Sequence, residues 1–356
     1  MSDVRRPISD AEMPEPRLLE AVRWSPDQRA VRIIDQRKLP NDFVERDLTT
    51  LDDVREAIHT LAVRGAPAIG ICGAMGLVVS AARHAHEPRE ALLARARALA
   101  RDIGATRPTA VNLRWAVERV LSRAERTAGD GDAILEAMRE EATAILEEDR
   151  AMCLRIGEAG AELLPEKARV LTHCNAGALA TGGLGTALAP LYVAASRGRS
   201  VTVLATETRP LLQGSRLTAW ELSRAGIPVT VITDSAAASR MRAGDVDLCI
   251  VGADRVVANG DVANKVGTYS LAVLAKHHGI PFYVAMPTST IDPTLASGDQ
   301  IAIEERDPAE VSTLGDRRVT VSNAAFDVTP AELVTAFVTD RGIVRPPYAF
   351  RAGRSA

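Results

Sequence analysis

A thiol, two carboxylates and three cations stand in this sequence at positions where the chain is expected to turn. Cys174 follows the apolar run RVLTH (169–173), Asp234 follows IPVTVIT (227–233), and Asp254 ends VDLCIVGAD (246–254). Arg64 stands in VRGAPAIG, just ahead of Pro67, and Arg107 in ATRPTAVNL, immediately before Pro108. Lys265, with Asn264 before it, leads into a segment of helical spacing that begins near Gly267. A thiolate can act as nucleophile or base, and a carboxyl group can give or take a proton. Arginine suits bidentate phosphate contacts. A lysine beside a helix N-terminus adds its charge to free N–H groups and the helix dipole. The two arginine corners and Lys265 together point to a phosphorylated ligand. Singly, each has a plainer reading: a loop aspartate, an arginine bonding helix-end carbonyls, a lysine solvated at a helix start.

The stretch LTHCNAGALATGGLGTAL (171–188) poses a choice of chemistry. Gly183-Leu184-Gly185, with Glu207 22 residues after Gly185, is close to the layout of a dinucleotide-binding turn. That fingerprint needs Gly-x-Gly-x-x-Gly directly after a strand. Here Leu188 holds the third glycine position, and the nine residues Cys174 to Gly182 separate the apolar run from Gly183. The glycines therefore read as a packing device behind Cys174, and no nicotinamide cofactor is expected.

These positions matter only if strands end there. From about Lys167 short apolar runs alternate with segments of helical spacing: RVLTH, SVTVLATE (200–207), IPVTVIT, VDLCIVGAD, IPFYVAM (280–286) and RRVTVSN (317–323). Such alternation specifies a mostly parallel sheet covered on both faces. In open sheets of this kind ligands bind at the carboxyl ends of the strands. Asn259-Gly260 marks a hairpin that returns the chain and presents Asn264 and Lys265. Ahead of this region, residues 20–45 suggest a small antiparallel element. Leu51 to about Glu162 is helix-like: LDDVREAIHTLAVRG up to Gly65, then segments beginning at Pro67, Pro88 and Pro108, then one long helix from Asp132. The expected fold class is α/β. A disordered extension (1–18) precedes a mostly helical domain with the small β element (19–150). A Rossmann-like doubly wound domain (151–348) and a tail (349–356) follow.

Composition narrows the class. A chain of 356 residues exceeds one small core. A net charge of −3 and 3% aromatic residues argue against a nucleic-acid partner. Four scattered cysteines without a CxxC argue against a zinc site or a disulfide framework and suit a reducing, cytoplasmic setting. MSDVRRPISDAEMPEP lacks the apolar core of a secretory signal. The uncharged stretches Ala66–Ala82 and Ala176–Ser196 read as buried helices rather than membrane spans. The first is too short to span, and the second is broken by glycines and Pro190. Cys72 and Cys249 lie in apolar runs that suit a core, and His173 should point to the face opposite Cys174.

The blocks RGAPAIG, THCNAGALATGGLGTAL, ETRPLLQGSRLTAWEL, VGADRVVANGDVANKVGTYSLAVLAKHHGIPFYV and NAAFDVTPAELVTAFVTDRGIVRPPY together resemble the methylthioribose-1-phosphate isomerases. The resemblance spans about Leu19 to Tyr348. It implies a homodimer without cofactor or metal and the conversion of 5-methylthioribose 1-phosphate to 5-methylthioribulose 1-phosphate in methionine salvage. It also implies that Cys174 and Asp254 are catalytic, Asp254 as proton donor. Arg64, Gly65, Ala66, Arg107, Gln213, Asn264 and Lys265 would bind substrate. Phosphate on the anomeric oxygen blocks ordinary ring opening, so an acid must protonate the ring oxygen. Asp254 then needs a raised pKa, which burial can supply. The hydrogen on C2 leaves as a proton to the Cys174 thiolate or shifts to C1 as a hydride. Competing readings are an isomerase for 5-deoxyribose 1-phosphate or ribose 1,5-bisphosphate, and a protein-binding regulatory subunit of translation initiation factor two-B. Having both Cys174 and Asp254 argues against the latter.

Overall fold

The computed structural model describes residues 19–107, 110–313 and 318–351. The expected disordered extension and residues 352–356 of the tail lie outside them, as does Pro108. The chain opens with β1 (Val22–Trp24), β2 (Val31–Ile34) and β3 (Glu45–Leu48), paired antiparallel in that order. This is the small element expected. Five helices follow: α1 (Leu51–His59), α2 (Ala66–Ala82), α3 (Arg89–Ala105), α4 (Val111–Arg126) and α5 (Gly131–Ala161). Thr50 and Asp53 start α1 with a capping box. The helix stops short of the expected Gly65, because Leu61 adopts φ of 62°, which a right-handed helix cannot hold. α2 is buried from Ala68 to Ala81, and the other four helices pack around it. α5 runs 31 residues unbroken. Its Ile134–Leu146 part joins the helical core, and its Ile156–Ala161 end joins the core of the sheet that follows.

Beyond α5 come β4 (Lys167–Thr172), α6 (Ala189–Ser196), β5 (Ser200–Thr206), α7 (Ala219–Arg224), β6 (Val229–Ile232), α8 (Ala237–Arg242) and β7 (Leu248–Val251). Then follow β8 (Arg255–Val257), β9 (Val262–Lys265), α9 (Thr268–His277), β10 (Phe282–Ala285), β11 (Ile291–Asp292), β12 (Phe326–Thr329), β13 (Ala336–Thr339) and β14 (Gly342–Val344). Seven strands make one sheet in the order β14-β13-β10-β7-β4-β5-β6, parallel except for β14. β7, β10 and β13 are buried at every residue, as strands covered on both faces must be. The α/β class is thus borne out. Strand order reverses at β4, whose neighbours are β5 and β7. The crevice at that switch point is where such sheets bind ligands. The smaller sheet, β11-β8-β9-β12, carries the expected Asn259-Gly260 hairpin between β8 and β9.

Two expected elements differ. Of RRVTVSN, residues 318–323 form no strand; Val319 is half exposed, and a β-branched run without a partner to bury against does not order as one. β13 and β14 complete the sheet instead. Ala176–Ser196 is not one buried helix but a short 3₁₀ turn (Ala178–Ala180), a loop and α6, since Gly185 takes φ of 87° and Pro190 sits in the first turn of α6. Among the described residues no helix is long and apolar enough to cross a membrane.

Candidate active site

Cys174 and Asp254 flank the switch point, two residues beyond β4 and three beyond β7. Gly252 lies so close to Ala176 that a Cβ there would meet Ala176 Cβ at 2.8 Å, so the two segments touch. Cys174 holds φ of 62°. Its N–H donates to Thr208 Oγ1 at 2.9 Å, and its carbonyl accepts from Thr218 Oγ1 at 2.6 Å. Thr218 closes a π-helical turn (Gly214–Thr218), a feature frequent at functional sites. Cys174, after β4, and Thr208 and Leu212, after β5, are among the described non-glycine residues with positive φ. Such conformations persist where surrounding structure holds them, and they cluster at active sites. Cys174 is the partly exposed cysteine of the four. Burial pushes the Cys72 and Cys249 thiols up to about 12, which leaves them inert core groups.

Asp254 opens the β8–β9 hairpin, its N–H donating to Ala263 O at 2.9 Å. Its side chain is exposed, yet the surrounding protein still desolvates the carboxyl. That desolvation raises its pKa, against the pull of Lys265, Arg64 and Arg107; nearby Glu304 adds to the rise.

The three cations reach this point from different elements. Arg64 lies in the turn before α2 and donates to Asn175 Oδ1 at 2.6 Å and Asn175 O at 2.7 Å. Gly65, with φ of 91°, is the N-cap of α2, and Ala66 is its exposed first residue. No side chain caps the helix, so its first amides remain available for an anion. Arg107 lies between α3 and α4, in electrostatic reach of Glu304, Arg306, Asp254 and Arg64. α4 starts at Val111 rather than at the expected Pro108. Lys265 is buried, its Nζ donating to Ala325 O at 2.9 Å and lying 5.0 Å from the centre of the Phe326 ring. Asn264 is buried beside it, Nδ2 donating to Thr268 Oγ1 at 3.0 Å. Gln213 is buried at the start of the π turn, and its Oε1 has no hydrogen-bond partner among the described residues.

One sequence expectation changes here, and two plainer readings hold. The N-terminus of α9 is not free for an anion: the Asp327 carboxylate accepts from Gly267 N at 2.6 Å and Tyr269 N at 3.1 Å. Asp327 comes from β12, paired opposite Asn264, a contact set by strand register. Lys265 therefore brings its charge without free helix amides. Asp234 takes the plainer reading, accepting from Thr208 N and Arg209 N, both at 2.8 Å, to close the turn after β5. The glycine loop cannot cradle a pyrophosphate as folded. Gly182 N donates to Asp149 Oδ2 at 2.6 Å, and Gly183 N and Gly185 N donate to Thr181 Oγ1 at 3.2 and 3.0 Å. Its glycines pack against α5, where a Cβ on Gly183 would meet Arg150 Cα at 3.0 Å.

Behind the site lie His173, expected from the sequence to point away from Cys174, and groups that sequence reading missed. His173 is buried, Nε2 2.8 Å from Val266 O and Nδ1 2.6 Å from Thr206 Oγ1. A carbonyl only accepts, so Nε2 carries the hydrogen and Thr206 donates to Nδ1. The ring thus ties the end of β4 to β5 and to the segment after Lys265, and burial lowers its pKa. Glu221 on α7 is fully buried; Oε2 accepts from Leu179 N at 3.0 Å, and Arg64, Asn175 and Tyr192 lie near. Burial lifts its pKa to about 7. A lone acid inside TAWEL was the available signal. Glu304 and Arg306 arrive from a loop whose sequence carries no such mark.

The family model of the initiation factor 2 subunit family matches residues 62–346. A Gemmatimonas aurantiaca protein named methylthioribose-1-phosphate isomerase is 57% identical over 347 residues, 96% of this chain and 99% of its own. The solved structure of 5-methylthioribose 1-phosphate isomerase from Pyrococcus horikoshii is 44% identical with a TM-score of 0.88, covering 96% of each chain. A solved structure titled translation initiation factor eIF-2B subunit delta, from A. fulgidus, is 43% identical with a TM-score of 0.86, covering 93% of this chain and 97% of that one. This chain belongs to the initiation factor 2 subunit family and, within it, to the group of methylthioribose-1-phosphate isomerases.

Proposed function

We infer that this chain is an aldose–ketose isomerase that converts 5-methylthioribose 1-phosphate to 5-methylthioribulose 1-phosphate, the isomerisation of methionine salvage. The observation that carries this is Asp254, a carboxyl with a raised pKa that faces three cations across the switch point from an accessible thiol. A protonated Asp254 gives its proton to the ring oxygen, and the C1–O4 bond opens with the phosphate still on C1. The C2 hydrogen moves to C1, through the Cys174 thiolate and an enol or directly as a hydride. The C2 hydroxyl then returns a proton to Asp254 as the ketone forms, so atoms and charge balance without a cofactor. A C2-deuterated substrate separates the routes: label kept at C1 means a shift, and label lost to water means a thiolate base.

The phosphate is held by Arg64, Arg107 and Lys265 with the first amides of α2 at Gly65 and Ala66, while Gln213 and Asn264 take sugar hydroxyls. Residues 19–150 form the helical domain and 151–348 the catalytic domain. The active form is a cytoplasmic homodimer, which light scattering on the purified protein tests for assembly. The activity test is to supply 5-methylthioribose 1-phosphate and look for the ketone carbon by NMR. Absence of ketose 1-phosphate would overturn the assignment.

A further inference from the structure

A cavity of about 340 Å³ lies between the helical part and the segment after β5, within the usual size range of ligand pockets. Arg64 and Gln213 line it, so it adjoins the candidate site. Gln36, in the turn after β2, lines it too and is only 1% exposed. Its backbone is fixed on both sides: the N–H donates to Ala62 O at 3.0 Å, and the carbonyl accepts from Arg216 Nη2 at 2.9 Å. Its Nε2 donates to Leu179 O at 2.7 Å. A carbonyl only accepts, so the amide cannot be turned over, and Oε1 is left as an acceptor. That oxygen has no hydrogen-bond partner among the described residues, and neither has Oε1 of Gln213, itself 7% exposed. Other polar side chains of the wall are engaged. Arg37 pairs with Asp35 and Glu56, both at 2.5 Å, Thr60 Oγ1 donates to Glu56 O at 2.8 Å, and Arg216 also donates to Leu39 O at 3.2 Å. The cavity thus presents two buried acceptors, and buried acceptors call for donors.

The sugar phosphate supplies too few donors while its ring is closed. Of its two hydroxyls, the one on C2 must return its proton to Asp254, which leaves the one on C3. The ring oxygen is only an acceptor. Once it takes the proton of Asp254 and the C1–O4 bond breaks, it becomes a hydroxyl on C4, a second donor adjacent to the first. We propose that Gln36 and Gln213 accept from the C3 and C4 hydroxyls of the opened sugar, so that Gln36 is a further substrate-binding residue and favours the open chain over the ring. This rests on the isomerase assignment above. A contact made only after ring opening raises kcat rather than lowering KM.

The test uses 5-methylthioribitol 1-phosphate, an open-chain polyol that can neither close nor isomerise, with its 3-deoxy and 4-deoxy forms. A site built for a hydroxyl rejects the analogue that lacks it, because its own polar group is left unpaired. By calorimetry the native protein should bind the parent polyol roughly tenfold or more tightly than either deoxy form. In Gln36→Met one of those two preferences should disappear, and kcat for 5-methylthioribose 1-phosphate should fall more than KM rises. Loss of the Leu179 contact alone would weaken all three polyols equally, and both preferences surviving in this way would overturn the proposal. If Gln36→Met does not fold, a crystal structure of the native protein with the polyol decides. A hydroxyl should lie within hydrogen-bond distance of Gln36 Oε1, and its absence there would overturn the proposal. A native protein that isomerises the sugar yet is indifferent to the deoxy forms loses this assignment alone. One that does not isomerise it loses the isomerase reading, and this one with it.

Discussion

Arg64 donates to both the side chain and the backbone carbonyl of Asn175, at 2.6 and 2.7 Å, and Asn175 is the residue next to Cys174. The helical part of the chain is thereby fastened at one point to the strand end that presents the thiol. Asn175 Nδ2 in turn donates to Thr218 Oγ1 at 3.2 Å, the hydroxyl that also donates to the Cys174 carbonyl. The cation and the thiol therefore share one support.

Asn175→Ala removes one acceptor of the Arg64 guanidinium and the donor to Thr218. A hydrogen bond to a charged group contributes about 1.5–3 kcal/mol. We expect kcat/KM to fall roughly ten- to hundredfold with the melting temperature only modestly lowered. Unchanged steady-state kinetics would show that Arg64 is positioned without this contact.

Cys174→Ala and Asp254→Asn should each reduce turnover by about 10²–10⁴-fold, the usual worth of a positioned acid or base. Neither side chain is part of the core, so circular dichroism and melting should match the native protein. Near-native turnover in either variant would remove that residue from the mechanism.

The pH profile of kcat/KM carries the sign of the Asp254 shift. Its pKa is raised, and the proton donor is its protonated form. Insofar as Asp254 governs the profile, activity should decline on the alkaline side as the carboxyl ionises, with a midpoint above the ordinary carboxylate range. An alkaline limb that persists unchanged in the residual activity of Asp254→Asn would assign that limb to another group.

Glu221 should make stability fall as pH rises. Its pKa is about 7 in the fold against an ordinary 4.5, so its contribution is fully present below pH 4.5 and lost as pH rises through 7. The loss is on the order of 3 kcal/mol. Asp149, lifted by burial to about 6, adds a smaller loss at lower pH. Glu221→Gln keeps an acceptor for Leu179 N and should flatten the fall in melting temperature between pH 5 and 7.5. Parallel curves for the two proteins would refute this.

Gly65→Ala should be far worse than Gly279→Ala. Both glycines have positive φ, 91° and 67°, a region that side chains other than glycine's enter only with strain. At Gly279 nothing lies within 4 Å of the added Cβ, but at Gly65 it would meet Ala180 O at 2.5 Å. The first turn of α2 must shift away from the glycine loop, and the anion contacts move with it. We expect a larger drop in melting temperature for Gly65→Ala and a rise in KM that Gly279→Ala does not share.

The sequence by itself determined the periodic parts of this protein. Apolar runs at β4, β5, β6, β7 and β10 and helical spacing in α1 and α3 to α5 were legible because burial imposes a period on the residues that satisfy it. The Asn259-Gly260 turn was legible because few residues accept the backbone angles it needs. Cys174 and Asp254 could be placed at strand ends for the same reason. The tertiary structure decided whatever depends on register and neighbours. It brought Asp327 across from β12 to occupy the amides of α9, and Asp149 across from α5 to occupy Gly182 N. It left residues 318–323 without a strand partner and drew the sheet edge from β13 and β14. It buried Glu221 and His173 behind the site and brought Glu304 within electrostatic reach of Asp254, whose pKa it helps to raise. A residue's own pattern records whether it is buried; which group it meets there is fixed only when distant segments pack.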